Sequence, residues 1–214
     1  IGQLAKAGHE TARKVYGCNG WVAHTVTNAW GYTAPGGGVG WGLNVTAGAW
    51  IATHLWNHYL YTKDTDYLRT TGYPLLKKTA EFFVDYMVED PNTGYLVTGP
   101  SISPENSFRY NNGDWCMSMM PTIDRAIVYD IYQACIASAE ILNVDADFKE
   151  RLERDIKKLP PLMIGKSGKV QEWLMDVERS DPSHRHSSHL VALYPLGQIS
   201  YTQTPELMAA SRKS

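Results

Sequence analysis

Glu105 stands in the loop sequence Ser103-Pro104-Glu105-Asn106. No helix face or heptad partner accounts for a carboxylate there, and the proline fixes the backbone just ahead of it. Phe108, Tyr110 and Trp115 follow closely. Aromatic cover disfavours the charged form of a carboxyl and helps it hold a proton for donation. The competing reading is a solvated loop glutamate with no chemistry.

A second constellation runs His24-Thr25-Val26-Thr27-Asn28-Ala29-Trp30, followed by a glycine-rich stretch that carries Trp41. Tryptophan stacks on the apolar face of a pyranose while His and Asn bond its hydroxyls. An asparagine is neutral and is no base unaided, but its carbonyl oxygen can orient a water if a carboxylate holds its NH₂ group. The ordinary use of such an asparagine is to cap a turn. The glycine run lacks the Lys-Ser/Thr ending and the preceding strand of a phosphate loop, so that function is excluded.

Three histidines occur in His184-Arg185-His186-Ser187-Ser188-His189. Their spacing suits a metal poorly, because only residues 186 and 189 share a helix face and no cysteine is near. Neither a metal nor a cofactor is expected. Arginine among histidines fits a polyhydroxylated ligand better, with at least one histidine buried against backbone. Glu172, in Gln171-Glu172-Trp173, is either the second carboxylate of a hydrolase pair or a brace behind the site beside a core tryptophan. The sequon Asn44-Val45-Thr46 precedes a helix start and is expected to be packed rather than glycosylated.

Helices must position these loops. Apolar residues repeat at helical spacing over residues 45–62, 74–88 and 123–142, with shorter helical patterns at 3–16, 147–158, 184–195 and 205–214. Pro74 suits a first turn. Between them lie long loops at 17–42, 89–121 and 162–183, and long loops inside a compact domain are usually functional. The pattern is all-α: helical hairpins joined by short turns on one side and long loops on the other, as in a toroid whose loops gather into a pocket.

Composition narrows the class. A net charge of −2 among 214 residues gives no electrostatic case for nucleic acid, and no apolar run is long enough for membrane insertion. Seven Trp and 13 Tyr against 4 Phe suit either a sugar-gripping surface or an aromatic core. Cys18, Cys116 and Cys135 are too few and too scattered for a disulfide framework. The chain starts at Ile1 and its last helical pattern runs out without a cap, so an interior piece of a longer protein is expected.

Taken in order, these segments resemble glycoside hydrolase family 95, the inverting α-L-fucosidases. The likeness runs from Gly20-Trp21-Val22-Ala23-His24-Thr25, Thr33-Ala34-Pro35 and Trp41-Gly42-Leu43 through Ala47-Gly48-Ala49-Trp50 and His54-Leu55-Trp56. It continues through Tyr73-Pro74-Leu75, Ala80-Glu81-Phe82-Phe83, Glu89-Asp90-Pro91 and Ser101-Ile102-Ser103-Pro104-Glu105-Asn106. It ends with Gln171-Glu172-Trp173-Leu174 and His184-Arg185-His186-Ser187-Ser188-His189-Leu190.

The resemblance implies a partial (α/α)₆ barrel spanning residues 1–214, cut from the catalytic domain of a secreted or periplasmic enzyme. An N-terminal β-domain and the C-terminal part would lie outside the chain. It implies removal of terminal α-L-fucose, α-1,2-linked, from an oligosaccharide or glycan. Glu105 falls on the family's general acid and Asn28 on its water-holding residue. His24, Arg185 and His186 fall on its sugar contacts, while Trp41 and Asn106 are our own additions to the sugar-facing set. Glu172 and His189 would stand behind them. An inverting pair needs room for water, on the order of 6.5–9.5 Å between its groups. Two departures count: Val26 stands where many members carry a polar residue, and no segment matches the aspartate that would activate Asn28. The 214 residues alone are therefore expected to be inactive. The alternatives are an α-L-galactosidase or other inverting glycosidase on the same fold, and a non-catalytic sugar-binding helical fragment.

Overall fold

Helical periodicity becomes helix wherever it was strong. In the computed structural model, which describes all 214 residues, α1 (Gly2–Thr11) runs into a π-helical turn at Ala12–Tyr16. The short α2 (Val39–Gly42) is followed by α3 (Ala47–Thr62). Next come α4 (Thr65–Tyr67), a π-helical turn at Leu68–Gly72 and α5 (Tyr73–Tyr86), which carries Pro74 in its first turn as expected. The chain continues through α6 (Thr122–Leu142), α7 (Ala146–Ile156), a 3₁₀ turn at Ser188–Ala192 and α8 (Pro205–Ser211). No helix is long and apolar enough to cross a membrane.

The centre of the molecule is α6. Most of its circumference is buried, through Ile123, Ile127, Ile131, Tyr132, Cys135 and Ile136 among others, and only a stripe that includes Gln133 and Glu140 reaches solvent, as expected of a largely interior helix. It packs against α3, α5, α7 and the 3₁₀ turn. The largest buried side chains are Trp21, Trp173, Tyr132, Phe82 and Phe83. Asp124, in the first turn of α6, is buried and accepts hydrogen bonds from Thr46 (2.9 Å) and Thr98 (2.7 Å). It thus ties the start of α3 and the approach to the acid loop to the central helix. Burial pushes its carboxyl up to about 6, against those hydrogen bonds.

One expectation needs correction: residues 89–121 are not one loop. The chain is helix-rich, with only a few very short strands. Seven strands of two or three residues form three small antiparallel sheets. β1 (Val88–Glu89) pairs with β2 (Leu96–Val97), and β3 (Ser101–Ile102) pairs with β6 (Met117–Ser118). β4 (Phe108–Tyr110) lies between β5 (Gly113–Trp115) and β7 (Glu178–Arg179). Strands this short show no readable alternation, and β4–β7 pairing joins segments far apart in sequence, so local pattern is silent about them. The sheets matter for position: β3 leads into Ser103–Asn106 and β4 leads out of it.

The aromatic residues divide between both roles that composition allowed. Trp21 and Trp173 are core, whereas Trp30 is 90% exposed and Trp41, Trp50 and Trp115 are also exposed. Asn44, Val45 and Thr46 are buried, so the sequon is packed, as expected. All three cysteines are free.

Candidate active site

The backbone of the acid loop is held by the histidine-rich segment. The Glu105 amide donates to Nδ1 of His186 (3.1 Å), and the Ser188 hydroxyl donates to the Pro104 carbonyl. Because Nδ1 of His186 accepts, its neutral ring carries the proton on Nε2. The carboxyl of Glu105 stays in reach of solvent, 38% exposed, with a guanidinium nitrogen of Arg185 3.1 Å from Oε2. Glu105, Arg185 and His186 are therefore brought together. The aromatics expected over Glu105 are elsewhere. Phe108 is tilted against Trp173 (5.2 Å between centroids), and Tyr110 and Trp115 are exposed, Trp115 donating to the Tyr110 carbonyl. Their place in strands β4 and β5 directs them away.

Behind this loop lies a buried polar cluster. Oε1 of Glu172 accepts from the Ser103 hydroxyl (2.7 Å) and the Asn106 amide (3.1 Å), and Oε2 accepts from Nε of Arg179 (2.7 Å). Arg179 also donates to Nδ1 of His189 (3.2 Å). Burial holds the His189 ring down at about 4, so it is a neutral acceptor rather than a partner in an ion pair with Glu172. Only 5% of Glu172 is exposed, a placement that suits a brace behind the site better than a second catalytic carboxylate. Asn106 is buried too: its NH₂ group serves Glu172 and its oxygen accepts from the Ser107 amide, so most of its polar capacity is spent inside the protein.

The tryptophan–histidine stretch begins as a buried thread. The Trp21 amide donates to the Lys78 carbonyl of α5, and the Ala23 carbonyl accepts from Gly48 of α3. Gly20, at φ +70°, and Gly48 permit this approach, since a Cβ on Gly48 would lie 2.9 Å from the Ala23 nitrogen. His24 sits at the end of the thread. Its Nδ1 bonds the Thr33 carbonyl (2.7 Å) and its Nε2 the Tyr16 hydroxyl (2.6 Å). A carbonyl only accepts, so Nδ1 carries the proton and the ring is neutral. Burial keeps it so by lowering its pKa, against the Thr33 hydrogen bond. Both nitrogens are thus engaged inside the protein, and His24 can meet a sugar hydroxyl only by giving up its bond to Tyr16.

Asn28 is a turn cap. Its Oδ1 accepts from the amides of Trp30 (3.0 Å) and Tyr32 (3.2 Å), which leaves only the NH₂ group uncommitted. To hold a water through oxygen, Asn28 must exchange those backbone donors. The ring of Trp41 lies over the Gly36–Gly38 backbone, where a Cβ on Gly36 would come within 2.6 Å of it. Its helix, α2, abuts β3, the strand that enters the acid loop. No hydrogen bond joins Asn28 or His24 directly to the Glu105 group.

An open groove of about 600 Å³ adjoins Arg185 and His186, walled by Trp50, Ile123, Leu190, Val191, Leu193 and Tyr194. Trp50 and Tyr194 were not singled out as sugar contacts, nor Arg179 as the partner of Glu172. The heptad-like face of α3 hid Trp50 among core positions, and Arg179 carried no local signal because its role depends on β4–β7 pairing. His184, His186 and His189 each serve a different partner, and no three His, Cys, Asp or Glu side chains converge as around a metal ion.

Comparison with known proteins identifies the family. The profile of the Glycosyl hydrolase family 95 catalytic domain matches residues 1–214. Alpha-L-fucosidase 2 of Arabidopsis thaliana is 39% identical over 210 residues, 97% of this chain and 25% of that protein. Probable alpha-fucosidase A of Aspergillus niger is 32% identical over 192 residues, 88% of this chain and 24% of its own length. The chain thus spans about a quarter of the length of these two curated relatives. With every residue inside the matched profile, the chain belongs to glycosyl hydrolase family 95 and to its catalytic domain.

Proposed function

We propose that the chain forms part of an exo-acting α-L-fucosidase that works with inversion, and that Glu105 is its proton donor. The observation that carries this reading is the placement of Glu105: a carboxyl in reach of solvent on a backbone held at both sides, beside Arg185 and an open groove. The fucosidase names of the relatives direct the choice of sugar. The packed helices α3, α5, α6 and α7 support a partial (α/α)₆ barrel.

In the proposed reaction Glu105 passes its proton to the glycosidic oxygen as the bond to the anomeric carbon breaks. Arg185 then faces the carboxylate that remains. A water attacks the opposite face of the sugar, held by the Asn28 amide once its turn opens, and its proton passes to a carboxylate base of the complete protein. The Arg185–Glu105 pair is exposed and weak, so an arriving sugar can draw Arg185 onto its hydroxyls. The groove beside it, apolar on most of its wall, suits a 6-deoxy sugar better than L-galactose, whose extra hydroxyl would lack a partner there.

The test uses the full-length protein on 2′-fucosyllactose, with the product anomer followed by proton NMR and the α-1,3-, α-1,4- and L-galactosyl analogues alongside. Initial release of β-L-fucose, preference for the α-1,2 linkage and loss of turnover in Glu105→Gln are expected. Initial α-L-fucose, or full activity in Glu105→Gln, rules the mechanism out.

A further inference from the structure

We infer that Glu172 is the positioning residue of the acid loop, setting the reach of the Glu105 carboxyl through Ser103 and Asn106. The inference rests on the reading of Glu105 as proton donor. Nothing near the tip of Glu105 holds it except one exposed ion pair, so its place depends on its backbone. That backbone is gripped on one side by His186 and Ser188. On the other side both flanking residues, Ser103 and Asn106, hang from one carboxylate, that of Glu172.

The cluster demands a carboxylate rather than an amide. Ser103, Asn106 and Arg179 all present donors to Glu172, and an ionised carboxylate only accepts. A glutamine, nearly identical in shape, would turn an NH₂ group toward Arg179 or toward the Ser103–Asn106 pair. Its missing charge would also leave the half-buried Arg179 without a counter-ion. His189 completes the array by accepting from Arg179 as a neutral ring. Since Glu172 is wholly engaged and buried, it acts on the reaction through the acid loop and touches no substrate.

Leaving-group dependence separates positioning from a general loss of structure. Nitrophenolate departs with little need of a proton, whereas the sugar alcohol of 2′-fucosyllactose needs one. In the full-length protein, Glu172→Gln is expected to lower kcat on 2′-fucosyllactose about 10²-fold and kcat on 4-nitrophenyl α-L-fucoside less than about 10-fold, with KM little changed. Ser103→Ala, which cuts a single tie, should show the same selectivity at about 10-fold, and it decides the matter if Glu172→Gln fails to fold. Glu105→Gln measured alongside must show the selective pattern most strongly. If it does not, the reading of Glu105 as the acid falls and this inference with it. If Glu105→Gln is selective while Ser103→Ala and a folded Glu172→Gln lose both substrates in equal proportion or lose neither, positioning by Glu172 is overturned and the acid stands.

Discussion

The guanidinium of Arg185 stands 3.1 Å from a carboxylate oxygen of Glu105, although 80 positions separate the two residues in sequence. Their side chains are 72% and 38% exposed, and an exposed pair contributes at most about 1 kcal/mol to stability. On the proposed function, its value is expected in the site. Arg185→Ala is expected to leave the melting temperature unchanged within about 2 °C and to lower kcat/KM on a fucoside about 10- to 100-fold. Differential scanning fluorimetry beside steady-state kinetics checks this; a large fall in melting temperature with unchanged kinetics contradicts it.

His24 braces the entry to its loop through Thr33 and Tyr16. Tyr16→Phe deletes one hydrogen bond and should cost about 1 kcal/mol. His24→Phe leaves two buried groups without partners and should cost about 2–4 kcal/mol. Urea denaturation measures both. A Tyr16→Phe protein with wild-type stability and a raised KM would return His24 to the sugar-contact role.

Two buried groups drive the pH dependence of stability in opposite directions. His189 is held down at about 4, below its unfolded value, so the unfolded chain binds a proton first on acidification and stability is lost as pH falls from about 6.5 to 4. Asp124 is raised to about 6, so the folded state keeps its proton longer and stability falls as pH rises from about 4 to 6. Each amounts to about 3 kcal/mol across its window, and they largely offset one another. His189→Gln, which still accepts from Arg179, should make the protein less sensitive to acid, whereas Asp124→Asn should make it more sensitive. Chemical denaturation at pH 4.5 and 7 of wild type and both variants reads the signs directly.

Asn28→Asp preserves an oxygen for the Trp30 and Tyr32 amides but removes the NH₂ group. If that group works on sugar or water, the variant should fold normally and lose about 10²-fold or more in kcat. Unchanged turnover would show that the NH₂ group does no work on sugar or water.

Ile131 lies fully buried on α6 among the helices that pack around it. Ile131→Ala should cost about 2–5 kcal/mol through lost transfer energy and the cavity left behind. Below the lowered melting temperature kcat should be unaffected, as thermal melts and assays at 20 °C would show.

Much of the scaffold was legible because helices announce themselves locally. The repeat from Leu75 to Phe83 marks one face of α5, and the apolar run from Ile123 to Leu142 marks α6 within a residue of its bounds. The motif around Glu105 was legible too, since a glutamate after proline in a loop has little local reason to exist. The small sheets were not, because two-residue strands have no period and their pairing is set by partners elsewhere.

By itself, then, the order of residues determined which segments coil and, through the family motifs, marked Glu105, Arg185 and His186 as candidates that the structure brings together. The fold alone decided how each polar group is spent. His24, Asn106 and Asn28 resemble ligand contacts in type and spacing, yet burial and hydrogen bonding commit most of their donors and acceptors to the protein. Hydrogen-bond partners are a property of three-dimensional neighbours, and no spacing along a chain encodes whether a nitrogen is already taken.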